Sequence, residues 1–288
     1  MYEVIVNPAA RNGQARQIGE EAERYLKEKQ VDFVIRYTEY PGHATELARD
    51  AAHRGVETVI AMGGDGTVCE TAAGLVHTNT SLGIAPAGTG NDFIKTIGTP
   101  RNWKEALDFI LTHPARPVNT GEVNDRFFLN VCGGGFDVLT LTYALEAKKH
   151  VKGIWPYLYG VLRAIRTFKP FKMHIQVGDD LTLDKDCMIC TIANGRYIGG
   201  GIPIASMADV EDGLLDVLVV DAVPRWKIPF YLPSLMGGSL YKRKVAHHYR
   251  VKTCSLSSPG MMLNLDGEIL PIEESHYRIF TDALKVHW

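Results

Sequence analysis

"TVIAMGGDGTVCE", residues Thr58 to Glu70, joins an apolar run to a turn holding three glycines and one carboxylate, and then to a helical pattern. One glycine would satisfy turn geometry. Three around Asp65 describe a backbone that lets a bulky, charged group come close. Gly63, Gly64 and Gly66 are expected to admit positive φ, and the helix expected from about Val68 would offer its positive end to a phosphate. Asp65 repels phosphate unless a cation stands between them, and Mg²⁺ held through water would resolve that conflict.

Outward from this stretch the chain alternates. "YEVIVN", "DFVIRYT", "ETVIAMG" and "LGIAP" read as strands. "GQARQIGEEAERYLKEKQ", "GHATELARDAAHRG", "TVCETAAGLVH" and "NWKEALDFILTH" read as helices. A βαβαβαβα order predicts an α/β domain with a parallel sheet covered on both faces, its ligands at the carboxyl ends of the strands. Around Pro114 to Asn119 the pattern changes to short strands, from "FFLNVCGGGFDV" to "YRIFTDALKVHW", with helical character only over Leu139–Thr167 and near Trp226–Tyr241. This predicts a second domain, a mostly antiparallel β-sandwich. The expected boundaries are 1–118 for the α/β domain and 119–276 for the sandwich, with about 277–288 returning to the first.

Composition narrows the function classes. The 288 residues carry a formal net charge of -2, so nothing global favours nucleic acid, and anionic partners must be met by local patches. Five cysteines at irregular spacing argue against a disulfide framework and for a reducing compartment. Cys187 and Cys190 form a C-x-x-C inside a strand pattern; they are expected on opposite faces, as buried thiols rather than ligands. No signal peptide and no stretch of about 20 apolar residues is read, so a cytoplasmic protein is expected.

Four turns carry the chemistry. "NPAARNG" (Asn7–Gly13), with Pro8 and Arg11, can hold a phosphate at the start of the next helix. Gly63–Thr67 is the second. "PAGTGNDF" (Pro86–Phe93), with Thr89, Asn91 and Asp92, is the third, and "NLDGEI" (Asn264–Ile269) places Asp266 and Glu268 in one turn. No G-x-x-x-x-G-K-[ST] occurs, nor G-x-G-x-x-G after the first strand, which excludes a P-loop protein and disfavours an ordinary dinucleotide fold.

"NP" after the first strand, Thr38 with "GHATELA", "GGDGT", "GTGNDF", "FLNVCGGGFD", "NGRYIGGG", "DGLLDV" and "DGE" together resemble the diacylglycerol kinase catalytic domain family, in the organisation of the bacterial lipid kinases. NAD kinases share Gly-Gly-Asp-Gly-Thr; the later motifs favour the lipid kinases. The resemblance implies an ATP- and Mg²⁺-dependent kinase with a nucleotide-binding α/β domain, a β-sandwich domain and a site between them. It places ATP on Asn7, Thr38, Gly63–Thr67, Glu70 and Thr89. It places the catalytic Mg²⁺ network on Asp65, Asp92 and Asp266, and the general base on Glu268, a carboxylate able to take the proton of a lipid hydroxyl. It also implies a structural Mg²⁺ in "MADVEDGLLDV", held by the Asp212 carboxylate and the carbonyls of Asp209 and Leu214.

Two positions depart from the family pattern. Cys69 replaces the usual Asn before Glu70. Asn119-Thr120-Gly121 replaces Asp-x-Gly, removing a negative charge, so weaker metal binding or altered activity is expected. "WKIPFYLPSLMGGSLYKRKVAHHYR" and "AKKHVKGIWPYLYG" interleave aromatics with Lys242, Arg243, Lys244 and Arg250, and with Lys148, Lys149 and Lys152. They are read as peripheral contacts with an anionic membrane, with solvated helix ends as the alternative. His247 and His248 are read as surface residues. The acceptor is expected to be diacylglycerol, with phosphatidylglycerol, undecaprenol or a sphingoid base as alternatives. A NAD- or sugar-kinase-like enzyme and a non-catalytic nucleotide-binding regulator are the other readings. The "DGLLDV" strand could pair across a homodimer.

Overall fold

The computed structural model describes residues 1–148, 151 and 155–288, which fall into two units. Lys149 and Lys152 of the basic stretch lie outside the described residues. The first unit comprises Met1–Thr120, Val210–Asp212 and Phe280–Trp288.

In the first unit strands and helices alternate: β1 (Tyr2–Val6), α1 (Gln14–Glu28), β2 (Phe33–Tyr37), α2 (His43–His53), β3 (Thr58–Gly63), α3 (Asp65–Leu75) and β4 (Ser81–Pro86). Two further helices follow, α4 (Asp92–Ile97) and α5 (Trp103–Thr112). The sheet order is β2-β1-β3-β4, all parallel, and the C-terminal strand continues it beside β4 through Lys285–Ser81 and Val286–Leu82. β3 is buried along its whole length, as expected of a central parallel strand with helices on both faces. Ala15, Gly19, Ala22 and Leu26 form the buried stripe of α1, each about one turn from the next. Because every strand is parallel, the segments after β1, β2, β3 and β4 emerge at the same edge of this sheet. Asn7, Thr38, Gly64 and Ala87 are the first residues beyond those ends.

The second unit, Gly121–Asp209 and Gly213–Ile279, is antiparallel. Its elements are β5 (Ala115–Val123, entering from the first unit), β6 (Arg126–Phe128), β7 (Val131–Gly135), α6 (Phe136–Lys148) and α7 (Trp155–Thr167). β8 (Phe171–Val177), β9 (Leu181–Ala193), β10 (Leu215–Asp221) and α8 (Ile228–Met236) come next. β11 (Ala246–Val251), β12 (Thr253–Ser257), β13 (Met262–Leu265), β14 (Glu268–Pro271) and the first part of β15 (Glu274–His287), up to Ile279, complete it. The long β9 pairs with β7, β8 and β10. One core, with Met173, Ile192, Val217 and Leu263, fills the sandwich. A second, with Phe136, Phe168, Ile189 and Leu218, also takes in Ile228 at the start of α8.

Three local expectations change here. Cys187 and Cys190 pack in the same core cluster, because the register between β9 and β10 shifts at Val220/Asp221. The bulge leaves Met188 between Ile189 and Cys187 and cancels the alternation expected from a separation of three. Both thiols are buried, which pushes Cys187 up to about 11 and Cys190 above its ordinary value. His247 and His248 are half-buried in β11 rather than free on the surface. Their Nε2 atoms lie 2.8 Å from Asp221 and 2.5 Å from Asp216, respectively. Finally, none of Gly63, Gly64 and Gly66 has positive φ.

Candidate active site

The glycines after β3 serve close approach. A Cβ on Gly88 would sit 2.3 Å from the Gly64 Cα, and one on Gly63 would sit 2.4 Å from the Thr67 Oγ1. The segments after β3 and β4 are thus in backbone contact, joined by the Ala87 N–H donating to the Gly63 carbonyl at 2.9 Å. Gly66 is exposed with open space around it.

The helix begins at Asp65, three residues earlier than expected, with Gly64 as N-cap in an extended conformation. Asp65, Gly66 and Thr67 therefore form the first turn, whose N–H groups have no acceptor within the helix. The Asp65 carboxylate turns instead to the next loop. It accepts the Asn91 N–H at 2.7 Å and the Asp92 N–H at 2.5 Å, where Asn91 stands in the left-handed region as N-cap of α4. Burial, and then the neighbouring Asp92 carboxylate, hold the Asp65 carboxyl above the usual range, against the pull of the two amides and Lys95. Lys95 Nζ donates to the Gly90 carbonyl at 2.8 Å and to Asp92 at 3.2 Å, both side chains being largely buried.

Around this clasp the other candidates take their places. Asn7 donates through Nδ2 to Thr67 Oγ1 at 3.0 Å and accepts the Ala9 N–H at 3.0 Å, so the first and second turns are joined. Thr38 follows β2, its N–H donating to Val6 at 2.9 Å. Arg11 is exposed on a 3-10 turn at φ +52°, next to the half-buried Pro8. Thr89 is exposed at the tip of the third turn. Glu70 is half-buried on α3, where its carbonyl accepts the Thr45 hydroxyl at 2.8 Å; Cys69 is half-buried beside it. Asn119 is buried in β5 and donates its N–H to Val210 at 2.6 Å.

Asp266 and Glu268 belong to the second unit. Asp266 and Gly267, at φ +46° and +100°, form the two-residue turn between β13 and β14, with Leu265 and Glu268 paired across it. The Asp266 carboxylate accepts N–H groups from Leu129 (2.6 Å), Asn130 (3.0 Å) and Val131 (2.8 Å). Glu268 starts β14 and is exposed to solvent.

Sequence reasoning missed Asn194. It is buried, donating through Nδ2 to the Leu129 carbonyl at 2.7 Å while its N–H donates to the Asn130 carbonyl at 2.9 Å. Asn130 in turn donates to the Tyr197 carbonyl. Residues 129–131 are thus gripped from one side by Asp266 and from the other by Asn194. The signal was present in the "NGRY" segment, but without a role.

The fit to Mg²⁺ differs from site to site. Among the described residues no group of three or more His, Cys, Asp or Glu stands close enough to hold a metal. Both oxygens of Asp65 and of Asp266 already accept amides, so these carboxylates suit an ion reached through water and phosphate oxygens rather than an all-protein cage. The pair Asp65 and Asp92, with Lys95 as the cation bridged to it, is a donor set that such an ion would relieve. Asp212 and Leu214 are half-buried and Asp209 exposed, around a turn with Gly213 at φ +74°.

Residues 2–123 match the model of the diacylglycerol kinase catalytic domain, and residues 130–288 match that of the YegS C-terminal NAD kinase beta sandwich-like domain. A "Probable lipid kinase YegS-like" protein of Pseudomonas putida is 33% identical over 255 residues, covering 88% of this chain and 84% of its own. Its namesake in Pseudomonas aeruginosa is 33% identical, covering 89% and 84%. A Bacillus anthracis protein described as a candidate diacylglycerol kinase has a solved structure that matches with TM-score 0.81 at 27% identity, over 100% of this chain and 97% of that one. An NAD kinase from Archaeoglobus fulgidus, at 12% identity and TM-score 0.54, shares the fold.

Proposed function

The chain belongs to the YegS-like lipid kinases of the diacylglycerol kinase family, and from that premise we propose that it transfers the γ-phosphate of ATP to the hydroxyl of diacylglycerol at a membrane surface. The observation that carries the nucleotide half is the clasp of Asp65 on Asn91 and Asp92. It holds the second and third turns together and leaves the first-turn N–H groups of α3 available to an anion. Asn7 and Thr38 stand after the neighbouring strands to bound the nucleotide, with Pro8, Arg11, Glu70, Thr89 and Asn91 around them.

Mg²⁺, when bound, would neutralise charge on the transferring phosphoryl group, with Asp65 and Asp92 holding it through water. The family resemblance alone assigns Asp266 to the Mg²⁺ network; within its own unit its three amide hydrogen bonds fix the hairpin that carries Glu268. Glu268, solvent-exposed at the start of β14, takes the proton of the acceptor hydroxyl as the phosphorus is attacked. We extend the family's structural Mg²⁺ to the Asp212 carboxylate and the Asp209 and Leu214 carbonyls. Asn119 lowers the negative charge of the first unit by one relative to the family pattern, so weaker Mg²⁺ binding or altered activity follows.

Labelled ATP incubated with a panel of diacylglycerol, phosphatidylglycerol, undecaprenol and sphingoid bases tests this reading. Label is expected in phosphatidic acid, and only with Mg²⁺. Label confined to a soluble acceptor such as NAD in the absence of lipid would replace it.

A further inference from the structure

Apart from the buried Ser234, α8 carries only apolar and aromatic side chains. At 3.6 residues per turn, Ile228, Tyr231, Leu232 and Leu235 fall on one side of it, and Pro229, Phe230, Pro233 and Met236 on the other. The first set faces the unit's core, where it helps to line a cavity of only ≈ 20 Å³ with Phe136 and Val220, so the inward face is filled. The second set faces water: Phe230 is 72% and Met236 60% exposed, and Trp226, just before the helix, is 68% exposed. A helix with apolar side chains on both faces belongs in a core or against lipid, and the outer face of this one is in neither.

Within the chain segment that carries α8 the charges are of one sign. From Pro224 to Val245 the chain holds Arg225, Lys227, Lys242, Arg243 and Lys244 and no Asp or Glu. Two of them are fixed in place. Arg225 donates through Nε to the Phe168 carbonyl at 2.9 Å, and Arg243 donates through Nε to Ser234 Oγ on the buried side of α8 at 2.7 Å. Lys227 Nζ stands 5.2 Å from the centre of the Trp226 ring, which meets Phe230 edge-on at 6.4 Å. A second copy of this chain would bring the same cations to the contact and repel it. An anionic leaflet supplies the opposite charge and an interface suited to Trp and Phe.

We propose that α8 is a membrane wedge: Trp226, Phe230 and Met236 enter the headgroup–acyl boundary of an anionic leaflet, and Arg225, Lys227 and the Lys242–Lys244 cations bind its phosphates. This deepens the lipid-kinase reading and rests on it, because it assigns the face by which the enzyme meets its acceptor. The test is co-sedimentation of the full chain with phosphatidylcholine vesicles made with and without phosphatidylglycerol, comparing the wild type, Trp226→Ala/Phe230→Ala and Lys227→Glu. Thermal midpoints serve as the fold control, since these side chains are solvent-exposed. Expected are preferential binding of the wild type to the anionic vesicles, a loss of about tenfold or more in the double variant, and a loss of about fivefold or more for Lys227→Glu. Wild-type binding retained by the folded double variant would overturn the proposal, as would a wild type that ignores both kinds of vesicle. So would a double variant that keeps vesicle binding and instead loses a protein contact. Phosphorylation of diacylglycerol in detergent micelles judges the kinase reading separately. Micellar activity beside a double variant that still binds vesicles removes the wedge alone. Wedge-dependent binding without phosphorylation of any lipid removes the kinase alone.

Discussion

Asp65 and Asp92 are tied through the main chain: the Asp65 carboxylate accepts the Asp92 N–H at 2.5 Å, while the Asp92 carboxylate is held by Lys95 at 3.2 Å. The start of α3 is thereby fixed to the start of α4, and two acids and one ammonium are packed into one place. Asp65→Asn keeps the shape but leaves one of the two loop N–H groups facing an amide nitrogen. The lost charge-assisted hydrogen bond is worth about 1.5–3 kcal/mol, partly offset by relief of the burial and repulsion that raise the Asp65 carboxyl. Thermal unfolding should show a modest fall in midpoint, and steady-state assays a fall of about a hundredfold in phosphoryl transfer.

Gly64 and Gly88 make a matched pair of tests. A methyl group on Gly88 collides with the Gly64 Cα at 2.3 Å, whereas one on Gly64 meets the Gly88 Cα at an ordinary 3.5 Å. Gly88→Ala should cost about 1–3 kcal/mol through backbone shift, while Gly64→Ala, at φ -97°, should fold normally. Urea midpoints measure both.

Asp266 and Glu268, two residues apart, should separate stability from activity. Asp266→Ala strips an acceptor from three N–H groups at residues 129–131 and is expected to destabilise by about 2–4 kcal/mol. Glu268→Ala, at an exposed strand end, should change the midpoint by less than about 0.5 kcal/mol. Denaturant titration of the two variants checks the contrast.

Asp137, in the first turn of α6, has its carboxyl pushed up to about 6 by burial. A raised acid favours folding while it is protonated, so its contribution is present below the ordinary aspartate value and is lost as pH rises from about 4 to about 6. Asp137→Asn removes this dependence. The midpoint of the variant relative to the wild type should therefore rise between pH 4 and pH 7, and a flat difference across that range would exclude the effect.

Much of this architecture is legible in the chain because two periodicities write it. "VIAMG" and "LGIAP" are apolar without a break, as strands covered on both faces must be, and α1 shows its stripe at Ala15, Ala22 and Leu26. β11 escaped because "AHHYRV" carries two histidines and an arginine, and their partners, Asp216 and Asp221, lie more than 20 residues away. The bulge beside Met188 leaves no mark in the sequence, so simple alternation assigns Cys187 to the wrong face. In the candidate site, glycine spacing announced a close approach but not its partner: Gly88 meets Gly64, which no local pattern states. The grip of Asn194 on residues 129–131 spans 65 positions and is equally invisible to local reading.

Glu268→Ala is the decisive variant for lipid phosphorylation. With labelled ATP, Mg²⁺ and diacylglycerol vesicles, the variant should bind nucleotide as the wild type does and transfer no phosphate to lipid. Phosphatidic acid formed at the wild-type rate by that variant would rule out Glu268 as the base.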